Sequence, residues 1–455
     1  MTALFSPQEL AQVTGGSWFD QQLPAQTGLS LTTDTRIDNR GKIFFALKGE
    51  RFDAHDFLQQ AADSGCAACC INRDRIDSVP AGIPALLVDD TLTAMQSCAA
   101  FHRQRFPELN VFGVTGSVGK TSVKEMLRAI CSHAAGAEKV LATVGNTNNQ
   151  IGVAQNLLRL TAEHRYAILE AGTSSPGEIA PLAKMISPDG AIVNSIAPCH
   201  LENLIDLNGV AREKGTVFAP LKPNGTAVYP AETAGKELLQ LAAGKHRQIC
   251  FGMNGIGDIS AEFISGELDG STFELTFPGG EVRRIHWKLT GAHNALNAAG
   301  AAALCYSSGI PIDTIAAALP ATELPGMRMK KSIIDDVTYF NDAYNANPAS
   351  MLASVKLLAS VKFPGRLILV LGGMRELGPE SRQEHRQLLE TISRYLPDAL
   401  VITIGPEFES LSECHFAEAE SAGEYLRKNL TKYDTVFAKG SRGNRVEKAL
   451  PPEAQ

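Results

Sequence analysis

Short runs of almost uninterrupted apolar residues alternate along this chain with stretches whose apolar positions recur at helical spacing. The runs at 111–115, 166–169 and 191–196 are rich in Val, Ile and Leu, and helical stretches such as 121–131 separate them. Apolar strands alternating with helices predict a parallel sheet covered on both faces. Before this region, short strands at 43–47 and 85–88 mix with short helices and end in the polar, proline-containing stretch 102–110. After it comes a second punctuation at 320–326, and the alternation restarts with strands at 367–371, 400–404 and 435–438. The expected fold class is therefore α/β in three domains, divided at 1–106, 107–321 and 322–455.

Composition agrees and excludes some classes. A chain of 455 residues is too long for one core at about 150 residues per domain. With 44% hydrophobic and 20% charged residues, it has globular composition. The net charge of −7 disfavours a nucleic-acid partner, whose phosphates call for a basic surface. No apolar run reaches the length of a membrane span, and the first ten residues lack signal-peptide regions, so a cytoplasmic protein with no membrane partner is expected. Nine scattered cysteines read as reduced thiols, and the group Cys66, Cys69, Cys70 as small core residues, since no second CxxC or nearby His completes a zinc set. No period of 20–50 residues suggests a repeat fold.

The most informative segment is Val111-Phe-Gly-Val-Thr115-Gly116-Ser117-Val118-Gly119-Lys120-Thr121. A β-run feeds a glycine-rich turn and then a helix start, the setting of a phosphate-cradling loop. Backbone N–H groups and the helix dipole would meet anionic oxygens there. Lys120 would reach the β- and γ-phosphates of ATP, and the Thr121 hydroxyl would bind Mg²⁺. Only the Gly116-x-x-Gly119-Lys120-Thr121 half of the common phosphate-loop pattern is present, with Val114 where a first glycine is usual. The chain has no GxSxG elbow, no HExxH helix and no Asn-Lys-x-Asp guanine-reading motif, which removes several hydrolase classes and the switch GTPases.

The run from Thr115 to Thr121 resembles the ATP loop of the Mur ligases, and the resemblance extends along the chain in the family's order. It implies a small α/β UDP-binding domain, a central P-loop ATPase-like parallel-sheet domain and a C-terminal Rossmann-like domain. In the first, Asp34, Thr35 and Arg36, with Gly41–Ala46 and Asp53-Ala-His55 further on, resemble the family's UDP-sugar site. Arg36 could pair with a pyrophosphate; the plainer reading is an Asp-started turn beside a surface Arg. The stretch Gly145-Asn-Thr147-Asn148-Asn149-Gln-Ile-Gly152 is similar to the family's substrate loop, although turn and N-cap chemistry explains some of these residues.

Glu170 ends an apolar strand, where parallel sheets bind ligands, and its family counterpart is a Mg²⁺ ligand. His200 matches a second metal ligand. Lys214, which spacing alone makes a solvated helix residue, aligns with a lysine carried as a CO₂-derived carbamate; a carbamate oxygen would join a second Mg²⁺. Asn294, Arg328 and Asp342 match contacts to adenine, phosphate and ribose, and His385 with Lys439-Gly-Ser-Arg442 completes the pattern. Gly373 departs from it, standing where relatives commonly carry Asp.

The resemblance implies an ATP-dependent amide ligase. A carboxylate would be phosphorylated to an acyl phosphate and then attacked by an amine, with Lys120, His200 and Lys214 in the catalytic set and two Mg²⁺ ions neutralising charge. Within the family, the Gly-Ser-x-Gly-Lys-Thr form is most like the loop of the member that adds D-alanyl-D-alanine to UDP-N-acetylmuramoyl-tripeptide, and a monomer is expected. The rival readings are a ligase adding a single amino acid, folylpolyglutamate synthase, and, more remotely, a P-loop ATPase acting as a conformational switch.

Overall fold

The computed structural model describes residues 1–49 and 52–455, and three sheets organise them. The first contains β1 (Ser17–Trp18), β2 (Ser30–Thr32), β3 (Lys42–Phe45), β4 (Ala68–Asn72) and β5 (Ala85–Val88) in the order β1-β5-β4-β3-β2, parallel except at β1. Cys69 and Cys70 lie in β4, with Cys66 just before it. All three are buried, and burial pushes the Cys66 thiol up to about 11 and that of Cys69 to about 12.

The second sheet holds β6 (Asn110–Thr115), β7 (Val140–Ala142), β8 (Tyr166–Glu170), β9 (Gly190–Val193), β10 (Thr226–Pro230), β11 (Arg247–Met253), β12 (Ile259–Glu267), β13 (Gly270–Thr276) and β14 (Val282–Trp287). Its order is β14-β13-β12-β11-β10-β9-β6-β8-β7. Chain order leaves β6 first toward β7 and β8 and then reverses toward β9. The topological switch, where open α/β sheets bind ligands, therefore falls at the C-terminal end of β6.

Two expectations need correction. The sheet is parallel only from β7 to β12, because β12, β13 and β14 form antiparallel hairpins. Residues of β13 alternate buried and half-buried, as a hairpin strand with only one face packed should. The strand expected at 191–196 stops at Val193. Beyond it, the Asn194 N–H still donates to the Thr115 carbonyl of β6, while the Asn194 and Ser195 side chains turn to the phosphate loop.

The third sheet comprises β15 (Lys330–Ile334), β16 (Val337–Asn341), β17 (Leu367–Gly372), β18 (Leu400–Ile404), β19 (His415–Phe416) and β20 (Thr435–Lys439), ordered β15-β16-β20-β17-β18-β19. It is parallel except at β15.

The first unit packs a cluster of its own around Phe44, Leu58, Cys69 and Ile71, and shares a second one with the middle unit. The helix Thr91–Gln104 buries Met95, Cys98 and Ala99 in one continuous cluster with Leu157, Leu182 and Ile186 of the middle unit. Arg103 seals this seam. Only 2% exposed, it donates to the carbonyls of Phe106, Ile186 and Ser187 and pairs with Asp189 at 3.3 Å. No helix among the described residues is long and apolar enough to cross a membrane.

Candidate active site

The phosphate loop is shaped by two glycines and one asparagine. Gly116 has φ +153° and Gly119 φ +84°. A Cβ at Gly116 would fall 1.7 Å from Asn194 Oδ1, and one at Gly119 would fall 2.7 Å from Asn194 Nδ2. The Asn194 amide thus occupies the space under the loop and donates to the Val118 carbonyl. Ser195 Oγ accepts from the Val118 N–H at 2.9 Å, and Ser117 Oγ donates to the Ala197 carbonyl at 3.0 Å. Residues after β9 therefore fix the shape of the loop, and sequence spacing contained no sign of that clamp.

The helix Lys120–Ala135 starts at the loop with Gly119 as its cap. Lys120 Nζ donates to the Gly116 carbonyl at 2.7 Å, which keeps the ammonium over the loop. Burial lowers its pKa, while Cys199 and Glu170 oppose that shift. Thr121 Oγ1 lies 3.4 Å from Glu170 Oε2 and accepts from Arg328 Nη2 at 3.2 Å. Arg328 arrives from the third unit, with its guanidinium 3.7 Å above the Tyr344 ring.

Glu170, 1% exposed at the end of β8, leaves Oε1 without a hydrogen-bond partner beside the cavity. A buried carboxylate oxygen with no donor is costly, and together with the Thr121 hydroxyl it makes a hard oxygen pair suited to Mg²⁺. No cluster of three or more His, Cys, Asp or Glu converges among the described residues. That fits a cation completed by phosphate and water oxygens, the usual habit of Mg²⁺.

These groups line a cavity of about 470 Å³ between the second and third sheets. On its far wall, Lys439 Nζ and Asp342 Oδ2 pair at 2.5 Å, and Asp342 Oδ1 accepts from the Met329 N–H at 3.2 Å. Asn294 donates to the Thr290 carbonyl and leaves its buried Oδ1 unpartnered at the cavity. The neighbouring His293 is exposed and lines the cavity as well.

The other expected residues divide. Asn148, along with Asn146, lines the cavity. Asn149 caps the helix Gln150–Leu157, accepting from Gly152 N–H at 2.8 Å. Thr147 donates to the Val144 carbonyl and accepts from Asn156, so both of these residues hold the loop.

In the first unit, Asp34 is engaged by its own neighbour. Arg36 donates to both carboxylate oxygens at 2.9 Å and holds that carboxyl down near 2. Thr35 between them is half-buried, and Thr33 Oγ1 accepts from Gln155 at 3.1 Å, tying this turn to the helix after the Asn-rich loop.

His200 takes a left-handed conformation, φ 52°, and its Nδ1 lies 2.5 Å from Glu376 Oε2 in the third unit. The imidazole holds the Glu376 carboxyl below its ordinary range. Lys214 is not the solvated helix residue its spacing suggests. At 1% exposure, burial and then the Lys120 charge lower it to about 8. The helix Leu207–Gly215 turns this face inward, burying Val210, Ala211 and Glu213 as well. A buried amine that releases its proton this readily suits carbamate formation. His385 is structural: Nε2 accepts from the Met374 N–H at 2.8 Å. At Gly373, an added Cβ would fall 2.1 Å from Glu407 Oε2, so an aspartate there would displace that carboxylate.

Comparison with known proteins follows the same layout. Residues 114–305 match the Mur ligase middle domain, and residues 327–442 match the "Mur ligase, glutamate ligase domain". The chain is 38% identical to UDP-N-acetylmuramoyl-tripeptide–D-alanyl-D-alanine ligase of Escherichia coli, over 92% of each chain. It superposes on the crystal structure of MurF from Acinetobacter baumannii with a TM-score of 0.91 and 31% identity, covering 99% of this chain and 98% of that one. A second solved structure, MurF ligase from Thermotoga maritima in complex with ADP, gives a TM-score of 0.78 at 25% identity, over 94% and 96%.

Proposed function

The chain belongs to the Mur ligase family, and from that premise we propose that it joins D-alanyl-D-alanine to UDP-N-acetylmuramoyl-tripeptide with ATP, giving UDP-N-acetylmuramoyl-pentapeptide, ADP and phosphate. The observation that carries the reading is the meeting of Lys120, Thr121 and Glu170 with Arg328, Asp342 and Lys439 around one cavity. Relatives and solved structures bearing the dipeptide-adding name, matched over nine tenths of the chain, favour it over a single-residue adder or folylpolyglutamate synthase.

A peptide carboxylate is a poor acylating agent, because its leaving group would be oxide. The carboxylate oxygen attacks the γ-phosphorus, ADP leaves, and the resulting acyl phosphate carries a good leaving group. The free amine of the dipeptide then adds to the acyl carbon, phosphate departs and the nitrogen loses a proton. No protein nucleophile is required, so this chain's part is positioning and charge neutralisation. Lys120, and Arg328 held flat on Tyr344, stand where negative charge gathers on the phosphates. Thr121 and Glu170 would hold one Mg²⁺, and His200 with carbamylated Lys214 a second, supplying electrostatic neutralisation of the phosphates. Closure of the third unit on the middle one would keep water from the acyl phosphate.

The same reading implies a cytoplasmic monomer divided near 106 and 321, without nucleic-acid or membrane partners. It assigns Asp34, Thr35 and Arg36 to the uridine nucleotide, and Thr147, Asn148 and Asn149 to the sugar or peptide.

The deciding experiment measures phosphate release from ATP and Mg²⁺ with the UDP-tripeptide, with and without D-alanyl-D-alanine. Release that depends on the dipeptide and matches the UDP-pentapeptide formed is expected. Equal release with single amino acids would assign another family member, and release without any acceptor would leave only an ATPase. For Lys214, activity is expected to fall in CO₂-depleted buffer and return with bicarbonate, while a Lys214→Met variant stays inactive in both. Indifference of the wild type to bicarbonate would remove the carbamate.

A further inference from the structure

One buried cation behind the site is unused by the chemistry above. Lys124 lies one helical turn beyond Lys120, on the same face of Lys120–Ala135, and is 2% exposed. An ammonium in that position is costly unless its surroundings are built to receive it. Its Nζ lies 2.7 Å from Glu125 Oε1, donates to the Thr143 carbonyl at 3.0 Å, and stands 3.8 Å from Glu170 Oε1. Arg128 takes the other Glu125 oxygen at 2.5 Å, so Glu125 has two cationic partners. Glu170 Oε1 has none closer than Lys124 and makes no hydrogen bond.

Thr143 grips Glu170 a second time. Its Oγ1 accepts from the Glu170 N–H at 3.0 Å, and its own N–H donates to the Ile168 carbonyl at 2.9 Å. Thr143 is also the first residue after β7, at the root of the loop that carries Asn146 and Asn148 into the cavity. That loop closes back on β8 where Gly172 N–H donates to the Asn148 carbonyl at 2.9 Å. A single ammonium thus touches the phosphate-loop helix, the carboxylate at the end of β8 and the base of the Asn-rich loop.

We propose that Lys124 is a positioning residue for the ligase reaction: through Glu170 Oε1 and the Thr143 carbonyl it sets the orientation in which Glu170 receives the divalent cation and couples that orientation to the loop bearing Asn146 and Asn148. The proposal rests on the reading of Glu170 and Thr121 as a Mg²⁺ site, so the test separates the two.

The test compares full-length wild type, Lys124→Met, the double variant Lys124→Met/Glu125→Leu and Glu170→Gln. The double variant also removes Glu125, the nearest partner of Lys124, so that this buried carboxylate is not left with Arg128 alone. ADP affinity is titrated calorimetrically in EDTA and then across a Mg²⁺ series, with the melting temperature as a fold control. Both Lys124 variants are expected to bind ADP in EDTA as the wild type does, but to need about 10–100-fold more Mg²⁺ for the metal-dependent gain, the range found when an outer partner of a metal ligand is removed. In steady state, KM for the UDP-substrate should rise alongside the loss of kcat, because the Asn-rich loop is released too. A merely structural lysine would lower the melting temperature and leave the Mg²⁺ requirement alone; that result in either folded Lys124 variant, with Glu170→Gln deficient, overturns the proposal. If Glu170→Gln itself keeps the wild-type Mg²⁺ requirement, the Mg²⁺ reading falls and the proposal with it.

Discussion

Lys120→Ala is expected to reduce dipeptide-dependent phosphate release by at least about a thousandfold, the scale of removing a preorganised charge from a phosphoryl-transfer site. Binding of the UDP-substrate should survive. Lys120 is half-buried and bridged to the Gly116 carbonyl at 2.7 Å, so its charge is already in place and needs no reorganisation when phosphate charge develops. It is also the largest charge acting on Lys214, and its removal lets Lys214 hold its proton more tightly, adding to the loss if a carbamate forms there. The candidate uridine residues Asp34 and Arg36 lie outside the cavity and are paired to each other, so they have no part in that change. Phosphate release under saturating substrates, beside calorimetric titration of the UDP-tripeptide into the variant, separates the effects. Parallel loss of both would mean that the loop and the uridine site are one unit.

Arg103→Ala should be the most damaging substitution outside the site. Arg103 donates to the Phe106 carbonyl on its own side and, across the seam between the first and middle units, to the Ile186 and Ser187 carbonyls and to Asp189. Burial lowers its pKa, yet a guanidinium stays charged in any protein. Removing it takes that donor from the Ile186 and Ser187 carbonyls, while Lys222 at 2.7 Å and the Val111 N–H at 2.9 Å still serve Asp189. Breaking a buried pair from one side costs about 3–5 kcal/mol, and the surviving Lys222 contact places this case near the lower end. A melting temperature lowered by roughly 6–12 °C is expected, taking about 2–4 °C per kcal/mol for units of this size. Lys at 103 should recover little, since one ammonium cannot reach three carbonyls and a carboxylate as a planar fork does. A variant that melts with the wild type would show that the shared apolar cluster alone holds the seam.

Much of the candidate site was legible because its signals are local. Gly116, Gly119, Lys120 and Thr121 sit within six residues that join a strand to a helix, and hydrogen bonding between near neighbours decides that turn. Glu170 was legible for a similar reason, since the end of an apolar parallel strand faces the crevice whatever surrounds it. Lys214 could be found only by resemblance. Its helix reads as amphipathic from spacing, and the face that turns inward depends on what packs above it.

Asn194 beneath the loop, Lys439 on Asp342, His200 on Glu376 and Lys124 behind Glu170 had no periodic or spacing signature. Their partners lie far along the chain, 76 residues from Asn194 to Val118 and 97 from Asp342 to Lys439. Residue order alone determined the α/β class, the three-part layout, the phosphate loop and the apolar strands that aim it, because each follows from interactions within one strand–turn–helix unit. Tertiary structure decided which polar side chains are buried, which of them are already satisfied by their neighbours, and which remain free to meet substrate. Those outcomes depend on desolvation, and desolvation is set by surfaces from separate units closing over one another.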